Sequence, residues 1–251
     1  MNKSFWKKWI GFLLACFMMF ATAFSVGACV LGNGGDSSSA SDTPVDFTKL
    51  TYIAFGDSIT WGEDGETHEQ MKKPYPQLVA ESLQLKNVEN YGKRGATVTY
   101  VTTNKVVMGL VEEAPSKANI VSVMIGVNDF AGSQQLGTLN DTGYNTIYGS
   151  LNNLVVQIQN KYKDAFIFFM TPLKQYKSAE INSAGYKLSD VANAVKEVCA
   201  TREIPVLDLY ETGEYSMQTD PNSDGLHPTQ KFVANYTAPK ITQFIQEHYG
   251  A

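Results

Sequence analysis

The chain has few of the residues that build metal or disulfide scaffolds. Its 251 residues include three cysteines, at positions 16, 29 and 199, and three histidines, at 68, 227 and 248. No Cys-x-x-Cys pair or Cys/His cluster occurs, which argues against a zinc module and a disulfide framework. There is no basic run and the formal net charge is −5, so a nucleic-acid partner is disfavoured. Internal repeats are absent. With 43% hydrophobic and 18% charged residues, disorder, collagen and coiled coil are all poor readings. A chain of this length buries roughly 70% of its unfolded surface without covalent staples.

What is present begins with an address. Met1–Lys8 is short and positive, and from Trp9 to Val30 the chain is almost wholly apolar. A positive start followed by an apolar run reads as an export signal. The run ends in Val26-Gly27-Ala28-Cys29. This stretch resembles the lipobox of bacterial lipoproteins, which implies a signal peptide over residues 1–28, Cys29 as the lipid-attachment site, and a membrane partner through that anchor. An uncut bilayer span, which needs about 20 apolar residues, and a cleaved, released body remain as alternatives. All three place the body outside the cytoplasm. Cys16, inside the apolar run, reads as a small hydrophobe. Residues 29–46, rich in Gly, Ser and Asp, read as a flexible tether. Without its three leader lysines the chain carries 17 basic against 25 acidic residues.

Residues 47–251 read as one α/β domain. Strands are expected at Thr51–Phe55, Asn87–Tyr91, Asn119–Ile125, Ala165–Met170 and Pro205–Leu209. Helices are expected at Pro76–Leu85, Tyr144–Tyr162, Ala184–Ala200 and Pro228–Tyr249, from apolar residues at helical spacing. Cys199 falls in the third of these and reads as buried and inert. Alternation of strand and helix implies a parallel sheet of about five strands with helices on both faces, a three-layer α/β/α sandwich. Ligands bind such sheets at the carboxyl ends of the strands.

Polar chemistry gathers at those ends. Gly56-Asp57-Ser58-Ile59-Thr60 follows the first strand; Ser58 reads either as a nucleophile on a tight turn or as a helix cap. Gly126-Val127-Asn128-Asp129 follows the third, with turn formers that can also face a cleft. Asp224-Gly225-Leu226-His227-Pro228 can set a carboxylate on one imidazole nitrogen and leave the other free as a base; the alternative is a capping Asp and a surface His. His248 reads as solvated, and His68 lies in a polar loop.

These blocks, with Asn90-Tyr91-Gly92-Lys93-Arg94-Gly95-Ala96-Thr97, resemble the four blocks of the SGNH, or GDSL, hydrolases, in family order from Thr51 to about Lys231. The resemblance implies a flavodoxin-like fold and ester cleavage without a metal or organic cofactor. Carried over by position, Ser58 is the nucleophile, His227 the general base and Asp224 its orienting group. The oxyanion hole is then the backbone N–H of Ser58 and of Gly95 with the side-chain amide of Asn128. Asp57 ties the first block together and is not catalytic. Arg94 departs from the small residue common in the family.

Three segments are expected to rim the cleft: Trp61–Lys73, Ala131–Asn145 and Leu173–Ser183. They are polar, and a groove for long acyl chains would be apolar. This favours a short acyl group, such as acetyl, on a carbohydrate or other polar alcohol. Trp61 and Tyr176 read either as sugar-stacking or as packed, with packing favoured. A lysophospholipase or thioesterase of the same family, and a non-catalytic glycan-binding surface lipoprotein, are the alternatives.

Overall fold

The computed structural model describes residues 45–100, 106–213 and 215–250. The expected signal peptide, Cys16, Cys29 and the tether up to residue 44 lie outside the described residues. Five strands form one sheet: β1 (Thr51–Gly56), β2 (Asn87–Gly92), β3 (Ile120–Met124), β4 (Phe166–Met170) and β5 (Val206–Leu207). All neighbours are parallel, in the order β2-β1-β3-β4-β5. That is the flavodoxin-like doubly wound order, whose switch point lies between β1 and β3.

The helices are α1 (Ser58–Trp61), α2 (Tyr75–Leu83), α3 (Val107–Glu113), α4 (Val127–Ala131), α5 (Ile147–Lys161), α6 (Leu188–Ala200), α7 (Leu209–Thr212), α8 (Gln230–Phe232) and α9 (Ala238–His248). Side chains of β1 alternate between two cores. Ile53 and Phe55 pack with α3, α5 and α6, whereas Tyr52 and Ala54 pack with α2 and α9. Period-two alternation with both faces buried makes a sheet between two helical layers. Fully burying a side chain such as Phe55, Phe168 or Ile120 contributes roughly 1.5–3 kcal/mol, so both layers are held firmly.

Several boundaries differ from the sequence reading. The expected closing helix is divided: a π turn at Val233–Thr237 separates α8 from α9. Pro239, near the start of α9, lacks an N–H and crowds the carbonyl four residues earlier; a wider turn relieves that contact. β5 is shorter than expected, because Asp208 already caps α7 by accepting from the Glu211 N–H. Helix α3 is not foreseen, and its ends carry no side-chain caps to announce it. Cys199 is buried, and desolvation pushes its thiol up to about 12. His248 is exposed and stacks on Phe244.

Candidate active site

The first block turns sharply out of β1. Asp57 is the cap of α1, its carboxylate accepting the Ile59 N–H at 2.9 Å. The cap is therefore Asp57, and Ser58 is the first helical residue, with its hydroxyl free for another partner. That partner is His227: Ser58 Oγ and His227 Nε2 are 2.9 Å apart. Ser58 is 4% exposed.

The imidazole arrives from the far end of the chain, and the loop after α1 holds it there. The Gly65 N–H donates to the Pro228 carbonyl at 3.2 Å. Asp64 Oδ2 accepts from the Gln230 N–H at 3.0 Å. A Cβ on Gly65 would collide with the His227 carbonyl, so only glycine allows this approach. Below, Asp220 accepts from both the N–H and the hydroxyl of Thr229, each at 2.7 Å. Polar side chains thus lace the two segments on either side of the Ser58–His227 contact.

Asp224 contacts both the turn and the imidazole. Its Oδ1 accepts the N–H groups of Leu226 at 2.8 Å and His227 at 2.6 Å, closing the turn, and its Oδ2 lies 2.8 Å from His227 Nδ1. Burial pushes this carboxylate up, but the hydrogen bonds from the His227 ring, His227 N–H and Leu226 N–H outweigh it and hold Asp224 below its ordinary value. An ionised carboxylate only accepts. Nδ1 therefore carries the imidazole proton, and Nε2 is left to accept from the Ser58 hydroxyl. His68 stands beside the pair, its Nδ1 3.8 Å from Asp224 Oδ2.

The three expected oxyanion donors each follow a strand: Ser58 after β1, Gly95 after β2 and Asn128 after β3. Gly95 follows β2 with φ +75°, a left-handed backbone that favours glycine. Asn90 secures this loop, its amide donating to the Thr60 carbonyl at 2.7 Å and its oxygen accepting the Gly92 N–H at 2.8 Å. Asn128, on α4 after β3, donates one amide hydrogen to the Ala96 carbonyl at 2.8 Å; an amide nitrogen has a second to offer. The Ser58 N–H lies in the first turn of α1, outside the capping bond made by Asp57.

Asp129, read as a turn former that can also face a cleft, takes a structural place. It does not face the cleft. It is fully buried and accepts from the Val98 N–H, Thr99 N–H and Thr99 hydroxyl at 3.0, 3.0 and 2.6 Å, pinning the segment that follows Gly95. Desolvation raises its carboxyl against those hydrogen bonds. Asp57 is raised as well, to about 7, chiefly by burial, with the charges of Asp129 and Glu63 adding.

The sequence reading also missed Glu63. It falls in the polar Trp61–Lys73 segment and was not singled out, yet its side chain is 8% exposed and paired with Arg94. The signal in the sequence was Arg94 itself, the departure from the family pattern. Tyr176 is 61% exposed, against the packed position favoured for it. Trp61 is half-buried beneath Arg94.

No curated protein matches the chain. Among solved structures, a protein from Lactobacillus plantarum aligns with TM-score 0.69 and 24% identity, covering 82% of this chain and 99% of its own. A possible lipase from Chitinophaga pinensis aligns with TM-score 0.60 and 25% identity, covering 79% and 98%. A carbohydrate acetylesterase family member from Sinorhizobium meliloti shares the fold, with TM-score 0.59 and 15% identity over 80% and 100%. The model of the GDSL-like lipase/acylhydrolase family matches residues 54–232, a span running from the second half of β1 to α8 and containing β2 to β5 and all four polar blocks. The chain belongs to the GDSL-like lipase/acylhydrolase family and is an ester-hydrolysing serine hydrolase.

Proposed function

We propose that Ser58, His227 and Asp224 form the catalytic triad, and that the N–H groups of Ser58 and Gly95 with the Asn128 amide form the oxyanion hole. The observation that carries this reading is the unbroken chain of contacts from Ser58 Oγ to His227 Nε2 at 2.9 Å and from His227 Nδ1 to Asp224 Oδ2 at 2.8 Å. A serine hydroxyl is a weak nucleophile until a base takes its proton. His227 takes that proton as Ser58 Oγ bonds to the ester carbonyl carbon. Negative charge moves to the carbonyl oxygen, where the three donors stabilise it. The carbon–oxygen bond to the alcohol then breaks, and His227 returns its proton to the leaving oxygen. Water, deprotonated by His227, cleaves the acyl-enzyme and restores the Ser58 hydroxyl.

For the substrate we infer a short acyl group on a carbohydrate alcohol. The three segments expected to rim the cleft are polar in sequence. A cleft of about 400 Å³ adjoins the Asp224–His227 turn at Gly225, lined by Tyr176, Tyr210 and Tyr215 with Lys174 and Gln218. Exposed tyrosine with amide and ammonium neighbours suits a sugar ring, which offers one face to stack and hydroxyls to bond. The same fold carries the acetylesterase family member from Sinorhizobium meliloti. Met217, also in this cleft, favours a second reading, in which a medium acyl chain lies against the aromatic wall, as in a lysophospholipase or thioesterase.

We further read residues 1–28 as an export signal and Cys29 as the lipidated anchor, which places the enzyme on the outer face of the membrane. Its support is the positive, apolar and small-residue pattern ending in Val26-Gly27-Ala28-Cys29.

Rates on p-nitrophenyl acetate and octanoate, with acetate release from an acetylated polysaccharide, test the substrate reading. We expect acetate to be preferred and polysaccharide acetyl groups to be released. A preference for octanoate overturns it. Incorporation of an alkyne fatty acid that is lost in Cys29→Ala tests the anchor.

A further inference from the structure

Glu63 is a buried carboxylate that the triad and oxyanion contacts leave unused. It belongs to the nucleophile's own turn, its backbone N–H donating to the Ser58 carbonyl at 2.9 Å. Its two oxygens accept from Arg94 Nε at 2.8 Å and Nη2 at 2.5 Å, a fork-on-fork pair. Glu63 Oε2 also lies 3.5 Å from His227 Nε2, the nitrogen that faces Ser58. Arg94 is 54% exposed, sits over the Trp61 ring at 5.5 Å, and immediately precedes Gly95. One ion pair therefore touches the nucleophile turn, the oxyanion loop and the imidazole together.

Two carboxylates consequently flank one imidazole, Asp224 at Nδ1 and Glu63 near Nε2. A negative charge within about 4 Å favours the imidazolium form. Left alone, Glu63 would hold the proton on Nε2 and compete with Ser58 for it. The guanidinium on both Glu63 oxygens offsets that charge. The other charged or titratable groups around His227 are tied elsewhere. Asp64 and Asp220 hold the backbone of Gln230 and Thr229. Asp57 caps α1. His68 lies 3.8 Å from Asp224 Oδ2, and Tyr215 feels the Asp224 charge.

We propose that Glu63 and Arg94 are a positioning pair: Arg94 restrains the pull of Glu63 on the His227 proton while joining the oxyanion loop to the nucleophile turn, and Glu63 steadies the imidazolium that forms when Ser58 loses its proton. This rests on the reading of Ser58 and His227 as nucleophile and base. Neither residue bonds to substrate; both act through His227 and the Gly95 loop.

The two halves of the pair push the base in opposite directions, and this is what a merely structural role would not do. The test is kcat/KM on p-nitrophenyl acetate from pH 4.5 to 9 for wild type, Glu63→Gln, Arg94→Ala and Arg94→Lys. Removing the Glu63 charge moves the acid limb to lower pH by about one unit, and removing the Arg94 charge moves it up by about one unit. Arg94→Lys, which keeps the charge and loses the fork, falls between wild type and Arg94→Ala. Arg94 is exposed, so its variants fold even if Glu63→Gln does not. Acid limbs that stay in place, or that move the same way in Glu63→Gln and Arg94→Ala, overturn the pair while leaving the base reading intact. A wild-type profile with no acid limb overturns the base reading and the pair with it.

Discussion

Asp224 meets His227 twice: its Oδ2 lies 2.8 Å from the ring Nδ1, and its Oδ1 accepts the backbone N–H of the same residue at 2.6 Å. One side chain therefore fixes both where the imidazole sits and which nitrogen carries the proton. The two duties separate by mutation. Asp224→Asn retains an oxygen for the turn but no longer fixes the proton on Nδ1. By analogy with the equivalent serine-protease substitution, kcat falls by roughly 10⁴ with little change in melting temperature. Asp224→Ala loses the same activity and also the turn, at about 0.5–1.5 kcal/mol for each lost hydrogen bond. Parallel kinetics and melting curves check this. An Asn variant that keeps wild-type kcat contradicts the orienting role.

Asn128 bonds the Ala96 carbonyl with one amide hydrogen and is assigned to the oxyanion with the other. Asn128→Ala lowers kcat by roughly 10²–10³, the usual cost of one lost oxyanion donor. KM changes far less, because the donor is worth most once charge develops on the carbonyl oxygen. Steady-state kinetics on p-nitrophenyl acetate separate the two constants. A rise in KM at constant kcat would place Asn128 in ground-state binding.

Asp57 supplies a pH signature in stability. Burial raises its folded-state value to about 7, while the unfolded chain has the ordinary value near ~4. Between these values the folded protein holds a proton that the unfolded chain has released. Stability from this group is thus fully present below pH ~4 and is lost as pH rises through about 7. Asp57→Asn keeps an oxygen acceptor for the Ile59 N–H and removes the titration. The melting temperature of Asp57→Asn relative to wild type therefore rises between pH 5 and pH 8. A constant difference across that range contradicts the buried, raised carboxyl.

The sequence carried the scaffold because its signals are local. Continuous apolar runs such as Ala165–Met170 mark strands buried on both faces, and the polar blocks follow strand ends, where a parallel sheet leaves its edge open. Ser58 and Asn128 were singled out because hydroxyl and amide types recur at those edges in family order. Glu63 was not. Its burial depends on Arg94, 31 positions later, and on an imidazole delivered by the far end of the chain. A glutamate inside a polar loop carries no sign of burial when neither partner is in view. Asp129 was left open between turn and cleft for a related reason: adjacent helical positions face different ways, and its partners are backbone groups of the distant Val98–Thr99 segment. The π turn and the short β5 escaped notice because tertiary contacts, not periodicity, set where those elements stop.

The most direct measurement of the central claim is covalent labelling with a fluorophosphonate probe, followed by peptide mass spectrometry. The probe reacts only with a serine whose hydroxyl is activated by a base and whose developing oxyanion is stabilised. The account predicts one labelled peptide, carrying the adduct on Ser58, at a rate greatly reduced in His227→Ala and with no adduct in Ser58→Ala. Adduct formation on another serine, or undiminished labelling in His227→Ala, would contradict it.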